Sequence, residues 1–464
     1  MVSQADQHER MTPAGRKAAL GAFFGLWVDF YDIYLPIVAL TPAIGFFEPA
    51  GISPALKATF GFLIFAVTLV GRPIGAFIFG HFGDSIGRKR TTIIAVGGFA
   101  TVTFIIGLLP GYQTWGVASL VILTALRLID GVFMGGEYTS ANPLAMEQCP
   151  RRLRGFVGGA IQSAYPLAYV GISLVTIVML AFVPAGGLNS PYVQWGWRIP
   201  FLVGGVLGAL FLIYFVRVEE SQAWEAEKSD KPATPPLKEL FRGRNFRNLV
   251  QVFVLMSGLW MTTQAAISGL PGLLQNFLDQ PAKAVTYGLA IGNFVLAMAF
   301  ISTALLGQRY GRRVMLMISG FWIAVLGSIV FYLMVTNALT KGSVVVTMFW
   351  AAVVTVICVS PWGMVTTYIN ERFPTSVRAS GYGIGYSLAV VVPSFYATYM
   401  LGLGKLMPYA YTPIVLIVLG GLLTTLGAWL GPETRHVDLR AVEETSPADD
   451  KVAAPAAATG AAVD

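Results

Sequence analysis

The chain has 464 residues, 55% of them hydrophobic and only 12% charged, with a net charge of +7. A soluble domain carries about 25% charged residues, and no soluble core of this size hides so much apolar surface, so the composition excludes a water-soluble globular protein and reads as a polytopic membrane protein. The positive charge raises nucleic acid as a partner, and its placement along the chain removes it.

Residues 1–17 form a polar tail. Arg10, Arg16 and Lys17 precede a first apolar segment that holds Asp29 and Asp32 and lacks a small-residue cleavage site, so this segment is retained rather than cleaved as a signal. Stretches of about 20 apolar residues cross a bilayer as helices. In the first half they cover 18–40, 58–80, 91–110, 115–143, 155–183 and 197–217. Residues 218–246 are polar and carry Pro232, Pro235 and Pro236, a linker. Six further stretches follow at 247–275, 284–307, 313–336, 343–369, 378–402 and 409–431. The tail 432–464 turns polar and then Ala-rich, and is expected to be disordered. The domains are therefore a six-helix bundle at 18–217, a linker, and a six-helix bundle at 247–431.

With the N-terminus inside, the cytoplasmic segments hold 24 of the 31 Lys and Arg and the external segments five. This split predicts N-in, C-in topology. It also explains the basic charge as a topology signal facing anionic lipid, with no nucleic acid involved. Cys149 and Cys358 lie far apart and read as small buried hydrophobes.

The two halves repeat. Gly83-Asp-Ser-Ile-Gly87-Arg88-Lys89 aligns with Gly307-Gln-Arg-Tyr-Gly311-Arg312-Arg313 at an offset of 224 residues. Glu147-Gln-Cys-Pro150 through Arg154 aligns with Glu371-Arg-Phe-Pro374 through Arg378 at the same offset. Parallel repeats of this kind place a substrate site near the bilayer midplane between the halves.

An ionisable side chain in a bilayer core is costly and marks function by default. Six occur, all in the first half: Asp29, Asp32, Arg72, Arg127, Asp130 and Glu137. Asp29 and Asp32 share one face of the first helix, and two close carboxylates favour protonation of one. Arg127, Asp130 and Glu137 share one face of the fourth helix. They read as proton-coupling residues, or else as static ion pairs. Arg72 offers a fork for a carboxylate, from the substrate or from the first helix. Asn142, Tyr165, Gln264, Asn293, Trp362, Thr366 and Tyr382 are candidate cavity residues, and Tyr31, Gln162 and Tyr386 are taken with Arg72 as substrate contacts. Pro143, Pro166, Pro271, Pro361 and Pro393 are expected to loosen helices. Gly83, Asp84, Gly87, Arg88 and Lys89 form a charged turn that reads as a conformational latch, with Asp84 reaching across the halves to a cation or a helix N-terminus. The second copy carries Gln308 in place of the acid, so the latch is asymmetric.

These residues resemble the major facilitator superfamily, through Gly83, Asp84, Gly87, Arg88 and Lys89, through Arg127-Leu-Ile-Asp130-Gly131, and through Trp195-Gly-Trp197-Arg198. The run from Arg72 to Lys89, Gly135-Gly136-Glu137-Tyr138 and the first helix Trp27-Val-Asp29-Phe-Tyr31-Asp32 are similar to its metabolite:proton symporter family. The resemblance implies the major facilitator fold, twelve helices in two pseudo-symmetric halves. It further implies a monomer in the inner (plasma) membrane that takes up a small organic solute with protons. The cargo is expected to be a carboxylate, with a zwitterion such as betaine or proline as the alternative. A proton-independent facilitator, a drug/proton antiporter and a non-transporting sensor remain further alternatives. No phosphate-binding loop, metal-ligand spacing or nucleophile constellation is present, so no enzyme, cofactor or metal is expected.

Overall fold

Each apolar stretch folds as a helix because a backbone inside a bilayer must satisfy its own hydrogen bonds. The computed structural model describes residues 10–49, 54–183, 187–220, 225 and 236–439. Among them, twelve helices are long and apolar enough to cross a membrane. In chain order they are α1 (Pro13–Leu40), α2 (Ile64–Ser85), α3 (Arg88–Gly107), α4 (Val117–Glu147), α5 (Arg151–Phe182) and α6 (Tyr192–Phe215). The second six are α7 (Gly243–Gln275), α8 (Ala284–Tyr310), α9 (Arg312–Leu339), α10 (Val344–Asn370), α11 (Thr375–Leu403) and α12 (Tyr409–Leu430). Large side chains such as Phe182, Val345 and Leu406 point outward, as a lipid-facing surface requires.

The α2–α4 contact positions the charged residues. Small residues let membrane helices approach backbone to backbone. A Cβ on Gly131 would strike the Thr68 carbonyl, and one on Gly135 the Arg72 carbonyl. Without glycine there, Arg72 and Arg127 would be held apart. The two halves meet where α2 packs on α11 and α5 packs on α8.

Several details differ from the sequence expectation. Helix α2 continues through Ser85, so His81, Gly83 and Asp84 are helical and His81 sits inside a membrane-crossing helix. The break is confined to Ile86 and Gly87, whose φ of 111° places it where L side chains strain. Gly83 serves packing: a Cβ there would crowd Ser140 and Ala379. Pro143 and Pro166 stay within helices, while Pro271 and Pro361 accompany local π and 3-10 segments at 264–277 and 360–364. Residues 432–439, expected to be disordered, are ordered: Thr434 and Leu439 are buried and the segment bonds to both halves. Its polar composition satisfies buried charged groups rather than water. Residues 440–464 and most of 221–235 lie outside the described residues.

Candidate functional site

The site is a ladder of buried charges descending the first half toward the 83–90 turn. At its far rung, Arg127 on α4 holds two acids. Its Nη1 lies 3.1 Å from Asp32 Oδ2 and 2.8 Å from Asp130 Oδ2. Nε donates to Thr68 Oγ1 at 3.1 Å, and Thr103 Oγ1 donates to Asp32 Oδ1 at 2.8 Å. The next rung is Arg72 on α2, whose Nη2 donates to Asp29 Oδ2 at 3.1 Å. Its Nε and Nη1 make no hydrogen bond. Below this lies Glu137, fully buried, with neither carboxyl oxygen hydrogen-bonded. Helical spacing produces the order: Asp29 and Asp32 are three residues apart on α1, a rise of about 4.5 Å.

An aromatic box from both halves encloses Arg72. Its guanidinium sits 4.7 Å from the Tyr138 ring centre, 5.5 Å from Phe30 and 5.9 Å from Tyr386. Trp260 and Trp362 meet edge to face at 4.7 Å, and both flank Tyr386 at 5.6 Å. Trp362 Nε1, the Tyr386 and Tyr165 hydroxyls and Gln162 Nε2 are buried and make no hydrogen bond. These groups give the box spare polar capacity from both halves.

The expected substrate contacts therefore divide. Arg72, Gln162 and Tyr386 converge between the halves. Tyr31 does not: its hydroxyl donates to the Pro200 carbonyl on α6 at 3.3 Å and its ring lies against Trp27, facing away from the second half. At about 100° per residue Tyr31 lies on the far side of α1 from Asp29 and is buried against α6. Gln264 and Asn293 bond within their own helices, to Ser268 and the Leu289 carbonyl. Tyr138 and Trp260 carry no charge to distinguish them in sequence, yet they frame the box.

Toward the 83–90 turn the halves are sealed. Tyr138 OH meets Ser387 Oγ, Asn142 Nδ2 donates to Tyr382 OH at 2.9 Å, and Thr366 Oγ1 donates to Gln162 Oε1 at 2.9 Å. Asp84 then caps α11, accepting from Ala379 N at 3.1 Å and from Ser380 N and Oγ at 2.9 and 2.6 Å. The outermost layer repeats with the chain. Glu147 accepts from Arg88 at 2.9 Å and from Arg378 of the other half at 2.8 Å. Glu371 pairs with Arg312 at 2.8 Å and with Arg154 of the other half at 3.8 Å. Glu220 caps α3 through Arg88 N and Lys89 N at 3.1 Å, while Glu433 caps α9 through Arg312 N at 3.0 Å and Arg313 N at 3.1 Å. Acids just after the last helix of each half were the available sequence signal for these two caps. Gln308 breaks the repeat: its amide donates to the Arg151 carbonyl at 3.4 Å and caps nothing.

Residues 22–398 match the sequence profile of the Major Facilitator Superfamily. The chain belongs to the Major Facilitator Superfamily. Like other members of that superfamily, it is a multi-pass membrane transporter and not an enzyme. The shikimate transporter of Escherichia coli strain K12 is 32% identical over 402 residues, 81% of this chain and 85% of the relative. The inner membrane metabolite transport protein YhjE of the same strain is 28% identical over 451 residues, 94% and 98% of the two chains. The proline/betaine transporter of that strain is 27% identical over 423 residues, 87% and 82%. Among solved structures, the proton:xylose symporter XylE bound to 6-bromo-6-deoxy-D-glucose aligns with a TM-score of 0.69 over 94% of this chain and 99% of that one. The xylose transporter XylE from E. coli in a partially occluded inward-open conformation aligns at 0.66 over 92% and 100%. Both are 18% identical and share the fold alone.

Proposed function

We propose that this chain is a proton-coupled symporter of the inner membrane that takes up a small organic acid by alternating access. One observation carries the reading: four buried carboxyls, Asp29, Asp32, Asp130 and Glu137, face two guanidiniums, Arg72 and Arg127. An uncompensated buried charge costs several kcal/mol. Two of the four carboxyls therefore hold protons while the ladder is dry. Opening one end of the bundle wets the ladder and lets those protons exchange, which ties proton load to conformation. The relatives' printed roles in shikimate, metabolite and proline/betaine transport fit a small polar cargo.

The acid is favoured by donors. Arg72 Nε and Nη1, the Tyr386 hydroxyl, Trp362 Nε1 and Gln162 Nε2 all seek an acceptor, and a carboxylate supplies two oxygens. A betaine-type cation is the second reading, because Tyr138, Tyr386, Trp260 and Trp362 form an aromatic box of the kind that holds ammonium groups. With the N-terminus inside, the sealed layers from Tyr138 to Glu371 close the cytoplasmic end. The 83–90 turn is then a latch: Asp84 on the α11 N-terminus holds that end shut, and Lys89 faces lipid headgroups. The protein works as a monomer, each half contributing one wall of the box.

The test is uptake by proteoliposomes of labelled shikimate, citrate, proline and glycine betaine, with and without an imposed pH gradient. Gradient-driven accumulation of an acid supports the reading. Accumulation of betaine alone moves it to the second reading, uptake that ignores the gradient indicates a facilitator, and gradient-driven loss of a cationic drug indicates an antiporter.

A further inference from the structure

Glu137 differs from the rest of the ladder. The other three acids each touch an arginine, and Glu137 touches none. Its carboxyl fills the space beside Gly25 on α1, where a Cβ would overlap it and would also strike the Phe211 ring of α6. The charged groups that face it electrostatically are Asp29 of α1 and Arg72 of α2. The Tyr382 phenol of α11 lies across the interface within reach of its charge, and the Phe211 ring of α6 closes on the same point of α1.

Its height in the bundle follows from its contacts. Gly25 and Asp29 are one turn apart on α1, so they share a face and are separated by about 6 Å along the axis. Glu137 therefore lies about one turn below Asp29, on the side of the 83–90 turn. The Tyr138–Ser387 and Asn142–Tyr382 contacts, the Asp84 cap and the outer Glu147 and Glu371 ion pairs lie between it and that end. Asp32, Asp29 and Glu137 thus form a descending series of carboxyls, the last one just inside the seal.

Resting on the symport reading above, we propose that Glu137 is the station through which the coupled proton leaves Asp29 for the loop-side solution. While the seal is closed Glu137 holds its proton, because no cation touches it and the nearby Arg72 is engaged elsewhere. When α4 and α11 part at the Tyr138 and Asn142 contacts, water reaches it and its proton passes to water, leaving a carboxylate. The proton on Asp29 then moves to Glu137, directly or through that water. Asp29 ends as a carboxylate paired with Arg72, Glu137 ends protonated, and one proton has entered the solution. Arg72 gives its fork back to Asp29 and the solute acid loses its partner, so proton release and solute release are one event.

The proposal separates two transport modes. Net uphill uptake requires proton release at every turnover, whereas exchange of labelled for unlabelled solute returns a loaded carrier and does not. In proteoliposomes with labelled shikimate, citrate, proline or glycine betaine, whichever the native protein accumulates, Glu137→Gln should retain exchange within about twofold. It should lose net gradient-driven accumulation at least tenfold. Equal loss of both modes would make Glu137 a packing residue and overturn the proposal, as would full retention of both. A native protein that accumulates none of these solutes under a gradient would instead overturn the symport reading. A second measurement needs no solute: the infrared spectrum of the purified native protein minus Glu137→Gln at neutral pH should show a protonated-carboxyl stretch. Its absence would contradict the proton that the closed state is said to hold.

Discussion

Arg127 joins two helices by holding Asp32 of α1 and Asp130 of its own α4, with all three side chains inside the bundle. Removing one partner of a buried pair leaves the other charge stranded, at a cost of about 3–5 kcal/mol. Arg127→Ala should therefore abolish gradient-driven accumulation and lower the melting temperature of the purified protein. Asp32→Asn keeps the shape and removes one charge, so it should abolish accumulation with a smaller loss of thermal stability. Unchanged uphill uptake in both variants would end the coupling role assigned to this rung. These residues were legible in sequence because charges stand out against an apolar background. The aromatic box was only half legible: Tyr386 and Trp362 were singled out as cavity residues, Tyr138 entered only within the Gly135–Tyr138 motif and Trp260 not at all, since a ring in a membrane helix is ordinary until its neighbours are known. Tyr31 was misplaced for the same reason, its direction being set by the Pro200 carbonyl of a helix distant in sequence.

The elements that seal the loop end behave as a two-layer clasp. The inner layer is asymmetric, because Asp84 caps α11 while its counterpart Gln308 caps nothing on α5, its oxygen accepting from Arg312 and its amide donating to the Arg151 carbonyl. Asp84→Asn weakens that charge-assisted cap and should shift the protein toward states open at the 83–90 end. Cysteine labelling at Ser140 in a Ser140→Cys variant should then quicken, and an unchanged labelling rate would remove Asp84 from the latch. The outer layer includes the strap at 432–439. Arg151 Nε donates to the Arg435 carbonyl at 3.1 Å, Arg154 Nη1 to the Val437 carbonyl at 2.7 Å, and Thr434 Oγ1 to Glu371 Oε2 at 2.7 Å. Burial pushes the Glu371 carboxyl up to about 7, with Arg312 beside it pulling the other way. The packed state thus holds a proton that an unpacked carboxyl, with its ordinary value of 4.5, has already lost. The contribution of Glu371 is greatest below about pH 4.5 and declines as pH rises through 7. Hydrogen exchange of residues 432–439, corrected for intrinsic rate, should be slower at pH 5 than at pH 8, and Glu371→Gln should flatten that difference. Equal protection at both pH values in the native protein would contradict it. Sequence composition pointed to disorder here because the strap is polar. Its partners are buried arginines, acids and carbonyls, which composition does not reveal.

Across the whole molecule, charge is confined to one half of the site while the other half supplies rings and neutral donors. The repeat, visible as two motif pairs at one offset, set the architecture, and the twelve helices follow it with shifted ends. That division of labour predicts a rigid first half carrying the proton and a second half that closes over the solute. On the proposed symport reading, solute and proton cross together. The most direct measurement is the external pH of a weakly buffered suspension of proteoliposomes, held at zero membrane potential, when solute is added. Symport should give an immediate alkaline shift in step with uptake of label, abolished by a protonophore and absent in Arg127→Ala. Solute uptake with no change in external pH would contradict it.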